Sequence, residues 1–208
     1  MFFFLICYIT LFCIYIFYIP VDMKKKSNKQ LAKEILNREI AALTRTTKLL
    51  DSKFDNACNA IISNKGKVIT LGIGKSSFIA MKMAATLSST GTAALFLHPV
   101  DAIHGDVGVI KKNDVVIIYS NSGETQEVVK LLPLLKLLKC YIISITGNLS
   151  SSLAQYSNIS LDASVTREAC PHNLAPTSSI ICALALSDAL ALAVSVQNNF
   201  SIKDYFYC

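Results

Sequence analysis

Five short apolar runs follow Gly66, at 67–72, 93–97, 114–120, 140–146 and 158–162. They read as strands, with helices expected at 76–88, 124–138, about 150–156 and 177–197. Val115-Val-Ile-Ile-Tyr119 has no polar alternation, the pattern of a strand buried on both faces. Strands alternating with helices give the fold class: α/β, a doubly wound five-stranded parallel sheet flanked by helices. In such folds ligands collect at the C-terminal ends of the strands.

Upstream, Leu31, Ile35, Leu36, Ile40 and Leu43 recur at three- and four-residue steps, so N-terminal helices are expected from Ser27 to about Asn64. Asp51 or Ser52 can cap a second helix carrying Phe54, Ala57, Cys58, Ile61 and Ile62. These helices are expected to pack on the core or on a partner subunit. Residues 1–22 form a separate hydrophobic segment, with only Thr10 polar among the 19 residues before Pro20. That length just spans a bilayer, and Lys24–Lys26 would then lie on the cytoplasmic side. Equally, Met23-Lys-Lys-Lys is a natural start, which would make 1–22 translated upstream sequence. Residues 23–208 are expected to form one domain, a size that supports a substantial core.

The formal charge of +6 is modest, and Lys24, Lys25, Lys26, Lys29 and Lys33 supply much of it. No basic face interleaved with aromatics follows, so nucleic-acid binding is not supported. The seven cysteines contain no CxxC pair, which argues against a zinc knuckle or disulfide framework and for a reducing cytoplasm.

Ser120-Asn-Ser-Gly123 breaks the third strand, and Glu124-Thr-Gln-Glu127 opens the next helix. Strand, small polar turn and helix N-terminus make an anion site from free N–H groups and the positive helix end. Gly72-Ile-Gly-Lys-Ser-Ser77 follows the first strand but matches neither a Walker loop nor a full GxGxxG. Lys75 lies at a helix start, where a cation is better explained by a bound anion than by the dipole. His98 and His104, with Asp101 and Asp106, occupy the loop after the second strand and could bind a metal, position a sugar hydroxyl or merely bond local carbonyls. Thr177, Ser178 and Ser179 sit where the last long helix starts and can cap it or bind an anion. Glu168, just after the fifth strand, is expected near the same sheet edge as Glu127, and two carboxylates beside a phosphate suit proton transfer next to a carbonyl. Cys170 has no partner pattern and reads as a structural thiol.

In order, GIGKS at 72–76, KMAATLSSTGT at 82–92, HPVDAIHGDVG at 98–108, SNSGET at 120–125 and EACPHNLAPTSS at 168–179 resemble the sugar isomerase (SIS) domain over residues 27–206. Within that family the set is similar to the arabinose-5-phosphate isomerases. The resemblance implies an aldose–ketose isomerase converting D-ribulose 5-phosphate to D-arabinose 5-phosphate, for lipopolysaccharide or capsule synthesis in a bacterial cytoplasm. By position it implies catalytic roles for Lys75, Glu127 and Glu168. Substrate contacts are implied at Gly72, Gly74, Ser76, Ser77, Gly91, Thr92, His98, His104, Ser120, Asn121, Ser122, Thr125, Thr177, Ser178 and Ser179. His98 is also where inhibitory zinc can bind, no cofactor is required, and a homo-tetramer is usual. The family pattern continues past Asp204-Tyr-Phe to a His-Pro-Gly-Gly segment with a fourth catalytic residue, and then to two CBS domains, so a C-terminally truncated domain is expected. The alternative expectation is a module that binds a phosphosugar without turnover. An SIS-type transcriptional regulator is a weaker option, since no helix-turn-helix precedes the domain.

Overall fold

The computed structural model describes residues 26–206; residues 1–25, which include the hydrophobic segment 1–22, and residues 207–208 lie outside the described residues. Two helices come first, α1 (Asn28–Leu49) and α2 (Ser52–Ile62). The βα alternation follows: β1 (Val68–Gly72), α3 (Lys75–Ser89), β2 (Ala94–Phe96), α4 (Pro99–Ile103), β3 (Val115–Tyr119), α5 (Gln126–Leu137), β4 (Tyr141–Thr146), α6 (Ser152–Tyr156), β5 (Ile159–Asp162), α7 (Ser178–Gln197) and α8 (Ile202–Tyr205). A 3-10 turn at Asp106–Val109 lies between α4 and β3.

All strand pairs are parallel, in the order β2-β1-β3-β4-β5. The expected α/β doubly wound sheet is the observed one. Alternation along β3 splits the core in two. Val115, Ile117 and Tyr119 face a cluster with Ala57 and Ile61 of α2, Ile79 and Met83 of α3, and Leu186 and Leu190 of α7. Val116 and Ile118 face Val128, Leu131, Leu132 and Leu135 of α5. Every residue of β1 and β3 is buried, which is why those runs carry no polar alternation. Burying each such Val or Ile contributes about 1.5–3 kcal/mol.

Several polar groups inside the core are matched, while the buried hydroxyls of Thr92 and Ser178 have no hydrogen-bond partner among the described residues. The Thr70 hydroxyl donates to the Ala80 carbonyl at 2.7 Å, tying β1 to α3. Tyr119, on β3, shares a 2.8 Å hydrogen bond with Ser187 of α7. Of the two proposed caps for the second helix, Asp51 is the one used, accepting from the Lys53 N–H at 2.9 Å. Two short helices were not in the sequence expectation. The loop 98–109 folds into α4 because the His98 imidazole caps Val100 and Pro99 occupies the first helical position. A Ser201–Asp204 capping box closes α8.

Among the described residues α7 is the one helix long and apolar enough to cross a membrane, with a mean hydropathy of 2.1. It packs against α1, α2 and α3 and contributes Leu186, Leu190, Ala191 and Val194 to the core. Its composition is that of a core helix.

Candidate active site

The strand order reverses direction of growth between β1 and β3, and ligands of open parallel sheets bind outside the strands' C-terminal ends at that switch point. A small cavity lies there. Ser76 of α3, Ser120 and Asn121 after β3, Thr146 and Gly147 at the end of β4, and Ser179 of α7 bring their polar groups to it. Ile79, Ile145 and Ile180 form its apolar wall.

Besides the short α4, whose start His98 caps, four helices start at this edge, and they are not equivalent. At α7 the Glu168 carboxylate accepts from the Thr177 N–H at 2.8 Å and the Ser179 N–H at 3.1 Å. The Thr177 hydroxyl, at 3.2 Å, and the Ser179 hydroxyl donate to it as well. Burial pushes the Glu168 pKa up, but these donors, Ser179 foremost, outweigh it and hold the carboxyl below its ordinary value. At α6 the Glu124 carboxylate accepts from the Ser152 N–H at 2.7 Å, which lowers its pKa in the same way. The helices α3 and α5 have no side-chain cap. The first-turn N–H groups of α5 are available to an anion from outside the chain, whereas in α3 the Ser76 and Ser77 N–H groups already donate to the Ile73 and Gly74 carbonyls at 3.2 and 3.1 Å, leaving the Lys75 side chain as the exposed donor there.

The loop before α5 is stiff. The Ser120 hydroxyl bonds the Thr125 hydroxyl at 2.9 Å and accepts from the Gly123 N–H at 3.1 Å. Gly123 has φ of 69°, and a Cβ there would collide with the Ser151 side chain, so the turn requires glycine. Ser122 accepts from the Glu124 N–H at 3.2 Å. Glu127, in the first turn of α5, is half-buried, and among the described residues its carboxylate has no hydrogen-bond or ion-pair partner. Lys75 opens α3 next to Gly74, which has φ of 58°; the lysine is exposed, has no partner among the described residues, and there is no acidic residue in its turn. At Gly72 an added Cβ would stand 2.6 Å from the Ser76 carbonyl, so glycine lets α3 start directly against the end of β1.

The structure therefore gathers Gly72, Gly74, Lys75, Ser76, Ser77, Ser120, Asn121, Ser122, Thr125, Glu127, Glu168, Thr177, Ser178 and Ser179 along the ends of β1, β3 and β5. Thr177 and Ser179 do bind an anion, and it is Glu168 of the same chain. His98 and His104 lie beyond the edge strand β2 at the same end of the sheet; the His98 Nδ1 accepts from the Val100 N–H at 3.4 Å. No group of three His, Cys, Asp or Glu side chains suited to a metal exists among the described residues. Gly91 and Thr92 stand apart. They precede β2, at the opposite end of the sheet, where Gly91 abuts the Phe200 ring. By strand rise that is about 15 Å from the cleft.

Sequence reasoning passed over Thr146, Gly147 and Ser151, which touch the phosphate-type loop from β4 and α6. The Gly147-Asn148 pair after a strand was the available signal.

The chain resembles known proteins over most of its length. It is 47% identical over 190 residues to the arabinose 5-phosphate isomerase KdsD of Francisella tularensis, covering 90% of this chain and 58% of that one. Against the same-named protein of Pseudomonas aeruginosa it is 51% identical, covering 74% of this chain and 47% of that one. The chain thus spans about half the length of the curated relatives it matches. Among solved structures, E. coli CFT073 c3406, determined in complex with arabinose 5-phosphate, superposes with a TM-score of 0.84 at 40% identity, covering 88% of this chain and 98% of that one. The SIS domain profile matches residues 61–193, and on that match, with the sheet order and the cleft beside it, the chain belongs to the SIS domain family.

Proposed function

We propose that this chain binds a five-carbon sugar phosphate and interconverts D-ribulose 5-phosphate and D-arabinose 5-phosphate. The observation that carries the reading is the pair of uncapped helix starts, α3 and α5, that flank the switch-point cleft, each with an unpartnered charged side chain in its first turn. The phosphate sits on the loop Ser120–Thr125 at the α5 N-terminus. The names of the related isomerases and the sugar phosphate bound to the solved E. coli relative support the choice of sugar.

The chemistry balances as proton transfer alone. Glu127 takes the C1 proton of the ketose while an acid delivers a proton to the C2 oxygen, giving an enediol. The proton returns to C2, the C1 hydroxyl loses its proton, and the carbonyl re-forms at C1. Lys75 stabilises the negative charge that builds on oxygen between these steps. Both electrons of each broken C–H bond stay on the sugar, so the reading needs no redox cofactor. Glu168 is held ionised by its donors and is a weaker base than an unpartnered carboxylate. Its role in this reading is to fix the start of α7, where Ser179 meets the cleft. His98 and His104 act on sugar hydroxyls from the β2 side, and His98 is a single zinc ligand within one chain.

Binding without turnover is the second reading, favoured by the same Glu168 engagement, which removes one of two expected proton carriers. Assaying the purified chain with D-ribulose 5-phosphate beside calorimetric titration separates the two. Binding with no isomerisation, and none restored by the C-terminal segment of a relative, overturns the enzyme reading.

Leu36 and Ile40 on α1 and Leu192 and Val196 on α7 are exposed, which supports a homo-oligomer, a tetramer by resemblance, checked by analytical ultracentrifugation. The unpaired thiols of Cys58, Cys140, Cys170 and Cys182 fit a cytoplasmic setting.

A further inference from the structure

The bonds within the phosphate loop are not all that shapes it, because two of its carbonyls are pinned from the neighbouring β4–α6 turn. The Gly147 N–H donates to the Asn121 carbonyl at 3.0 Å, and the Thr146 hydroxyl reaches the same oxygen at 3.4 Å. The Leu153 N–H donates to the Gly123 carbonyl at 3.1 Å. Ser152 takes the Glu124 carboxylate, and Ser151 packs against Gly123. In a trans peptide the C=O and the following N–H point in opposite directions. Fixing the Asn121 carbonyl on the β4 turn therefore turns the Ser122 N–H away from that turn, on the exposed side of the loop, as a donor for a ligand.

Gly147 has an ordinary backbone conformation that any residue can adopt. An added Cβ there would displace the Asn121 Oδ1 and press on the Asn121 carbonyl oxygen at 3.0 Å, so the carbonyl it holds would have to shift by a few tenths of an ångström. Thr146 is buried, and its hydroxyl proton is engaged within the chain, while the same oxygen accepts from the Asn148 N–H at 3.2 Å. The Gly147 N–H and the Thr146 O–H are both committed to the Asn121 carbonyl. We propose that Gly147 and Thr146 are positioning residues of the phosphate site, setting the direction of the Ser122 N–H from the neighbouring strand β4. This deepens the phosphosugar reading and rests on it.

The test compares wild type with Gly147→Ala, Thr146→Val and Thr146→Ser in the full chain. Calorimetry measures affinity for D-arabinose 5-phosphate and for inorganic phosphate, and amide hydrogen exchange reads residues 121–125. Gly147→Ala and Thr146→Val are expected to weaken both ligands, by roughly tenfold and fivefold, and to speed exchange at Ser122. Thr146→Ser keeps the hydroxyl and should restore both. Ser144→Ala is the control for stability alone: it removes the buried Ser144–Ser160 hydrogen bond on the same strand and should leave affinity unchanged. Equal weakening in Ser144→Ala, failure of Thr146→Ser to restore, or wild-type affinity and exchange in Gly147→Ala overturns the proposal. A wild-type chain that binds neither ligand overturns the phosphosugar reading instead, and the exchange rates still decide whether the turn sets the loop.

Discussion

Glu168 accepts hydrogen bonds from both the backbone N–H and the hydroxyl of Ser179, and so occupies the N-terminus of α7 with a charge from its own chain. The bond pair links the end of β5 to the wall of the cleft. A carboxylate in that place is worth about 1–2 kcal/mol of helix-end stabilisation in a partly buried site.

Glu168→Gln should therefore lower stability by about 1–2 kcal/mol, read as a shifted denaturant midpoint at pH 7. The pH dependence follows from the sign of the shift. A carboxyl whose folded value is depressed adds stability above its unfolded value, near about 4.3, and loses it as pH falls through the folded value. As pH falls below the unfolded value, wild type should lose stability that Glu168→Gln does not lose. Parallel curves for the two proteins would show that the carboxylate is not the cap.

Glu127→Gln should abolish exchange of the sugar C1 proton with solvent, with a rate loss on the order of 10²–10⁴. Binding of the sugar phosphate should stay within a few fold, because Glu127 bonds no part of the loop. Loss of binding in step with loss of exchange would make Glu127 a helix-start residue rather than the base.

Lys75→Met should weaken the sugar phosphate more than it weakens the unphosphorylated sugar, and should flatten the salt dependence of binding. Exposed charge pairs are screened within about 8–10 Å at physiological salt. Titration at two ionic strengths checks this; an unchanged salt slope would remove Lys75 from the anion site.

Asp114, at the far end of the sheet, accepts from the Lys67 N–H at 3.0 Å, the Lys67 Nζ at 2.8 Å and the Lys111 N–H at 2.8 Å. Burial pushes its pKa up, but the Lys67 ammonium and these N–H donors bring it below the ordinary value. Asp114→Asn should cost about 2 kcal/mol of stability while kcat and KM stay at wild-type values. A changed KM would mean that the two ends of the sheet are coupled.

The candidate site was legible in the sequence where local chemistry marks it. Ser120-Asn-Ser-Gly after an apolar run announces a tight turn and a helix start, and Lys75 at a helix start announces an anion, without any tertiary contact. Gly91 and Thr92 show the limit. They entered as part of a motif contiguous with α3, yet that 15-residue helix runs back along the sheet and leaves them at the opposite end from the cleft. Thr146 and Gly147 show the converse, since each is an ordinary strand-end residue until β4 is placed beside β3.

By itself the sequence determined the parallel α/β sheet, because continuous apolar runs can be buried only between two helical layers, and it determined where the anion-binding loop lies, because Ser120-Asn-Ser-Gly123 breaks a strand just before a helix start. The tertiary structure alone decided which helix starts are open. Glu168 is nine residues from Thr177 and Glu124 is 28 from Ser152, separations at which no periodicity or turn rule says whether a carboxylate meets a free N–H. Packing α6 and α7 against the sheet brought those pairs together, filled those two helix starts from within the chain, and left the α5 start and the exposed Lys75 of α3 for a ligand.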